Sequence, residues 1–112
     1  MSQHKTTDLE RSTFQNRPAY RYLRLADHLP NSASDPDPVA CVKLFNPTGQ
    51  GSWYIAAYDP KTRQAYGAAD LFEFEYGSID MEELVTFRGR FGLPIERDLS
   101  WTPRPISQCQ GT

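Results

Sequence analysis

Apolar positions in this chain change period as it proceeds. Val39 to Phe45, VACVKLF, is β-branched and apolar enough for a strand buried on both faces. Ser52 to Tyr58, SWYIAAY, predicts a second strand, with Trp53, Ile55 and Ala57 on one face and Tyr54, Ala56 and Tyr58 on the other. NPTGQG, from Asn46 to Gly51, is the turn between them, and DPKTR, from Asp59 to Arg63, carries hairpin chemistry with Pro60 preset for a turn. Gln64 to Asp70 is a third strand. Leu71 to Tyr76 alternates cleanly between Leu71, Glu73, Glu75 and Phe72, Phe74, Tyr76.

From Ser78 to Asp98 the period becomes helical. Asp80 as N-cap and Glu83 three residues later make a capping box, with Ile79 and Leu84 at the hydrophobic-staple positions. Leu84, Phe87 and Phe91 then form one apolar stripe; Arg88 complements the helix C-terminus and Gly89 supplies a left-handed stop. Upstream, Tyr22, Leu25, Ala26 and Leu29 recur at helical spacing behind Pro18, which predicts a short amphipathic helix over 18–29. Arg17, Arg21 and Arg24 decorate its other side as a solvated face. Pro30 to Pro38 is a stiff polar connector, and Asp98 to Thr102 is a last strand anchored by Trp101. In FGLPIERD, Ile95 and Leu99 face the core with Phe87 and Phe91, and Arg97 meets a carboxylate or backbone carbonyls near the sheet edge. Consecutive hairpins followed by a helix predict an α+β fold, a small antiparallel β-sheet covered on one face by one or two short helices. The predicted organisation is a flexible tail over 1–17, a single domain over 18–103 and a C-terminal tail over 104–112.

Composition narrows the class. A chain of 112 residues, 38% hydrophobic and 23% charged, has room for one modest core. The net charge of −2 supplies no global basic field for nucleic acid. No apolar run approaches the roughly 20 residues of a membrane helix, and the start MSQHKTTDLERS lacks a signal-peptide core, so a cytoplasmic protein is expected. Cys41 and Cys109 fit that compartment as free thiols.

Three blocks carry a family resemblance: KLFNPTGQGSWYIAAYDP, YGAADL and FRGRFGLPIERDLSWTPRPIS. Together they span about 37–107, and the chain resembles an uncharacterised bacterial family, domain of unknown function 2958. The resemblance implies a short protein of plasmids, phages and integrating elements, and it brings no established catalytic residues. The acid-rich approach FEFEYGSIDMEEL and the longer N-terminal extension depart from the family pattern.

Candidate chemistry is sparse. Gly49-Gln50-Gly51 lacks the following helix and Lys of a phosphate loop and reads as a turn. Glu96 and Asp98 would point to one face of an extended segment; a general acid/base pair is the enzymatic alternative, and a structural ion pair with Arg97 or Arg88 the commoner use. His4 and His28 have no metal-ligand spacing, and Cys41 has no basic neighbour, so no metal, no cofactor and no catalytic residue is assigned. Tyr54, Tyr58, Tyr66 and Trp53 beside Lys43, Lys61 and Arg63 would suit base stacking, the nucleic-acid alternative.

The charge distribution is one-signed between Arg63 and Arg88, where Asp70, Glu73, Glu75, Asp80, Glu82 and Glu83 occur without a Lys or Arg. A solvated edge strand and ordinary helix N-terminal acids explain this without function. The functional reading makes Asp70, Glu73, Glu75, Glu82 and Glu83 a surface for a host protein with a basic face. The expectation is a non-enzymatic inhibitory protein of a mobile genetic element, of anti-CRISPR or anti-restriction type.

Overall fold

Residues 7–112 are described by the structure, a computed structural model. His4 and the first part of the expected N-terminal tail lie outside them. Among the described residues there are nine strands: β1 (Asp8–Glu10), β2 (Leu23–Arg24), β3 (Val39–Ala40), β4 (Val42–Phe45), β5 (Ser52–Asp59), β6 (Gln64–Asp70), β7 (Phe74–Asp80), β8 (Glu96–Arg97) and β9 (Arg104–Pro105). The one α-helix among the described residues is α1 (Met81–Thr86). Five strands form an antiparallel sheet in the order β7-β6-β5-β4-β8, while β1 pairs with β2 and β3 with β9.

Side-chain alternation sends apolar residues to both faces of this sheet. On the first face Val42, Leu44, Ile55, Ala65 and Ile79 pack with Tyr22 and Leu23 and with Met81, Leu84 and Val85 of α1. On the second face Tyr54, Ala56 and Ala68 pack with Ala40, Ile106 and Cys109. A bulge at Ala56 divides β5: Ile55 faces Gly67 and Ala57 faces Tyr66, leaving one residue extra. The bulge shifts Tyr58 into the first core, so it does not share a face with Tyr54 as simple alternation predicts. Gly67 is required beside it, because a Cβ there would lie 1.8 Å from the Tyr54 carbonyl oxygen.

The fold is therefore mostly β, and the α+β expectation is corrected. Residues 18–29 do not form a helix; two 3₁₀ turns, Pro18–Tyr20 and Leu25–Asp27, flank β2. Adjacent Tyr22 and Leu23 are both fully buried, whereas Leu25, which the helical stripe required inside, is 63% exposed. The Tyr22 hydroxyl donates to the Ile95 carbonyl at 2.6 Å, a partner invisible to local periodicity. Burial pushes this phenol up to about 12, so it stays a donor at neutral pH.

The helix α1 is present but only six residues long. Asp80 caps it by accepting from the Glu82 amide at 3.0 Å, one residue earlier than a capping box requires. Gly89 is not the left-handed stop; Phe91 and Gly92 take φ values of 60° and 70° in the turn beyond. That turn leaves Phe91 84% exposed, and Leu99 is also exposed, so neither joins Ile95 in the core. Asp98 to Thr102 is not a strand, although Trp101 is an anchor: its indole N–H donates to the Ala40 carbonyl at 2.9 Å.

Both segments expected as tails carry structure. Within 1–17, β1 places Glu10 in the interior, and within 104–112, β9 pairs with β3 and buries Ile106 and Cys109. Pro105 is tolerated because its two-residue strand lies at an edge.

Candidate partner-binding surface

Among the described residues, the end of the β6–β7 hairpin carries the most exposed large apolar side chain. β6 stops at Asp70 and β7 starts at Phe74, with Asp70 facing Phe74 and Ala69 facing Glu75. Leu71, Phe72 and Glu73 make the connection, closed by the Leu71 amide donating to the Glu73 carbonyl at 3.3 Å. The extended reading of Leu71 to Tyr76 is thus interrupted by a turn. Phe72 at its apex is 95% exposed, and Leu71 beside it is 45% exposed. Asp70 is half-buried, and Glu73 and Glu75 are exposed. An apolar tip of this kind, ringed by carboxylates, has the anatomy of a contact anchor with a charged rim.

The five acidic residues are not one patch. Asp70, Glu73 and Glu75 cluster at the hairpin tip, whereas six strand steps, about 20 Å, separate Phe74 from Asp80 at the other end of β7. Glu82 lies at that far end, close enough to contribute to the raised pKa of Arg63, whose first cause is its hydrogen bond to Glu10. Glu83 takes an intermediate place on α1, where it lines a groove of about 320 Å³ with Trp53, Ala69, Leu71, Leu84 and Phe87. Among the described residues none of the five forms a salt bridge. Glu73, Glu75, Glu82 and Glu83 are exposed to solvent, and Asp70 is half-buried.

Other candidates acquire structural roles. Glu10 is buried, accepting from the Tyr58 hydroxyl at 2.5 Å and from Arg63 Nε and Nη2 at 3.0 and 2.8 Å. Burial and the Glu10 carboxylate together push the Tyr58 phenol well above its ordinary range. Arg97 grips Asp27 with two 2.8 Å bonds and donates to the Tyr22 carbonyl at 3.1 Å. Asp98 accepts from the Ser100 amide in a turn, and Glu96 pairs with Phe45 at the sheet edge. Gly49 and Gly51 serve the β4–β5 turn, where the Asn46 amide donates to the Gly51 carbonyl.

Tyr54 and Tyr58 are both buried and lie on opposite faces, so they do not form the stacking surface that nucleic acid would need. Lys43 is drawn onto Tyr54 and Trp101, 5.8 Å from each ring centre. Burial raises both thiols, so neither Cys41 nor Cys109 has the depressed pKa of a nucleophile. Among the described residues no three His, Cys, Asp or Glu side chains are grouped to hold a metal. Nor is any helix there long and apolar enough to cross a membrane.

The carboxylates stand out in the sequence, whereas the exposure of Phe72 at a turn does not. Asp70 is the only turn-favouring residue in Asp70-Leu71-Phe72-Glu73, which has no Gly, Pro or Asn beside it. The available signal was length: Gln64 to Tyr76 is longer than an ordinary strand of about 3–10 residues, so a reversal had to lie inside it.

These features define a small, mostly β protein with a two-sided core and an acidic, apolar-tipped hairpin. By sequence the chain belongs to the family described as "Protein of unknown function (DUF2958)", which matches residues 16–109. Comparison with the curated proteins and with the solved structures gives no match.

Proposed function

We propose that the chain is a binding protein whose β6–β7 tip docks on a basic surface of another protein. One observation carries the reading: Phe72 stands 95% exposed at the apex of a turn among Asp70, Glu73 and Glu75. An exposed phenylalanine is costly to hold in water and gains by burial in a partner's pocket, about 2 kcal/mol or more for its side chain. The surrounding carboxylates would steer a positive partner and reject a negative one. The setting we propose is a mobile genetic element, with a host defence nuclease as the occupied partner. A protein that grips nucleic acid presents the basic surface this tip complements.

Capture of host proteins by the immobilised chain tests this reading. A Glu73→Lys, Glu75→Lys double variant should lose at least tenfold of the captured partner, whereas Glu82→Lys, at the far end of β7, should change capture less than twofold. Equal capture by all three proteins would contradict the proposed surface.

A further inference from the structure

Gly77 sits inside β7, where a glycine weakens a strand, and the fold does not require it. Its φ is not left-handed, and a Cβ built on it would meet nothing within 4 Å. Gly67, its cross-strand neighbour, is explained by the Tyr54 carbonyl; Gly77 has no such reason. Strand glycines mark bulges, tight bends or places where a ligand or another backbone approaches closely, and the β6–β7 register runs through Gly77 without a bulge.

The surroundings suit such an approach. Among the described residues β7 has a strand neighbour on one side only, β6. At Gly77 the missing side chain opens a notch of about 100 Å³ lined by Ala69, Glu75 and Ile79. Ala69 and Ile79 also line the wider groove, so the notch leads from the sheet edge toward Trp53, Phe87 and Glu83.

We propose that β7 accepts an extended basic segment of another protein as an added strand, with one Arg or Lys side chain reaching past Gly77 into this groove. The inference rests on the protein-binding reading above and specifies its geometry. Main-chain bonds along the open edge would hold the segment, and alternate side chains would set its register. A long cationic side chain fits the groove chemically: its stem would lie on Ala69 and Trp53 while its charge meets Glu75 or Glu83. Charge selects the occupant, since no Lys or Arg lies between Arg63 and Arg88. A second copy of this chain is the poorer fit, because its own edge carries the same carboxylates.

The test is fluorescence anisotropy of a labelled octapeptide alternating arginine and threonine, titrated with the full chain at about 0.1 M salt, where exposed charges are screened beyond roughly 10 Å. Saturable binding is expected, with slowed hydrogen exchange of the β7 amides. Methylating alternate backbone nitrogens of the peptide should weaken binding at least tenfold. Gly77→Val should do the same while melting at or above the wild-type temperature. Equal affinity for the methylated peptide would mean attraction by charge alone and overturn strand addition, leaving the docking surface intact. No binding of the unmethylated peptide, with partner capture still sensitive to Glu73 and Glu75, would also reject the extended segment. If capture is insensitive as well, the reading beneath fails too. A wild-type dimer in sedimentation that Gly77→Val dissolves would assign the edge to a second copy and overturn the proposal.

Discussion

Arg97→Ala should lower the melting temperature by more than about 10 °C. The guanidinium and Asp27 are only 14% and 10% exposed, and both carboxylate oxygens accept from it at 2.8 Å. Removing one partner of a buried pair leaves the other charge uncompensated, at a cost of about 3–5 kcal/mol. At about 4 °C per kcal/mol for a chain of this size, the shift clears any ordinary surface effect. The same guanidinium donates to the Tyr22 carbonyl, so its loss also loosens the segment leading into β2 from β8. Replacing both partners, Arg97→Met with Asp27→Leu, should recover part of the stability, because no stranded charge remains. Arg90→Ala, at an exposed position, should shift melting by no more than a degree or two. A single Arg97→Ala variant that melts like the wild type would show that the pair does not hold the N-terminal segment to the sheet.

Glu10→Ala is expected to be the second most damaging change, at about 2–4 kcal/mol in a denaturant titration. Its carboxylate is the acceptor for the buried Tyr58 hydroxyl, which would be left without a partner. Arg63 contributes less to the loss, because its side chain is 42% exposed and water replaces the carboxylate there. Glu10→Gln keeps an acceptor for Tyr58 and should cost less than half as much. Equal damage from both variants would place the effect in the ion pair with Arg63 rather than in the phenol.

These two clusters mark the limit of what the sequence discloses. β5 and β6 were legible to within a residue because aromatic-rich apolar runs at SWYIAAY and QAYGAAD flank the turn chemistry of DPKTR. Asp80 was legible as a helix cap because capping is a property of adjacent residues. Tyr22, Leu23, Asp27 and Glu10 were not: each is placed by a partner 48 to 73 positions away or by burial under a distant segment. Their spacing imitated a helix in one case and a solvated tail in the other. The one-residue bulge at Ala56 left no local signature, yet it decides which core Tyr58 enters and removes it from any base-stacking face. The acidic residues were found by composition, but only the hairpin geometry separates Asp70, Glu73 and Glu75 from Glu82.

Docking through the β6–β7 tip is tested most directly by site-specific photo-cross-linking. A photoreactive phenylalanine analogue at position 72 preserves the aromatic anchor, and the same group at position 25, also an exposed apolar site, serves as control. In bacterial cells that express the chain, position 72 should yield a discrete protein adduct that Glu73→Lys with Glu75→Lys removes, and position 25 should yield none. Adducts from position 25 alone, or a position-72 adduct unchanged by charge reversal, would contradict docking through this hairpin.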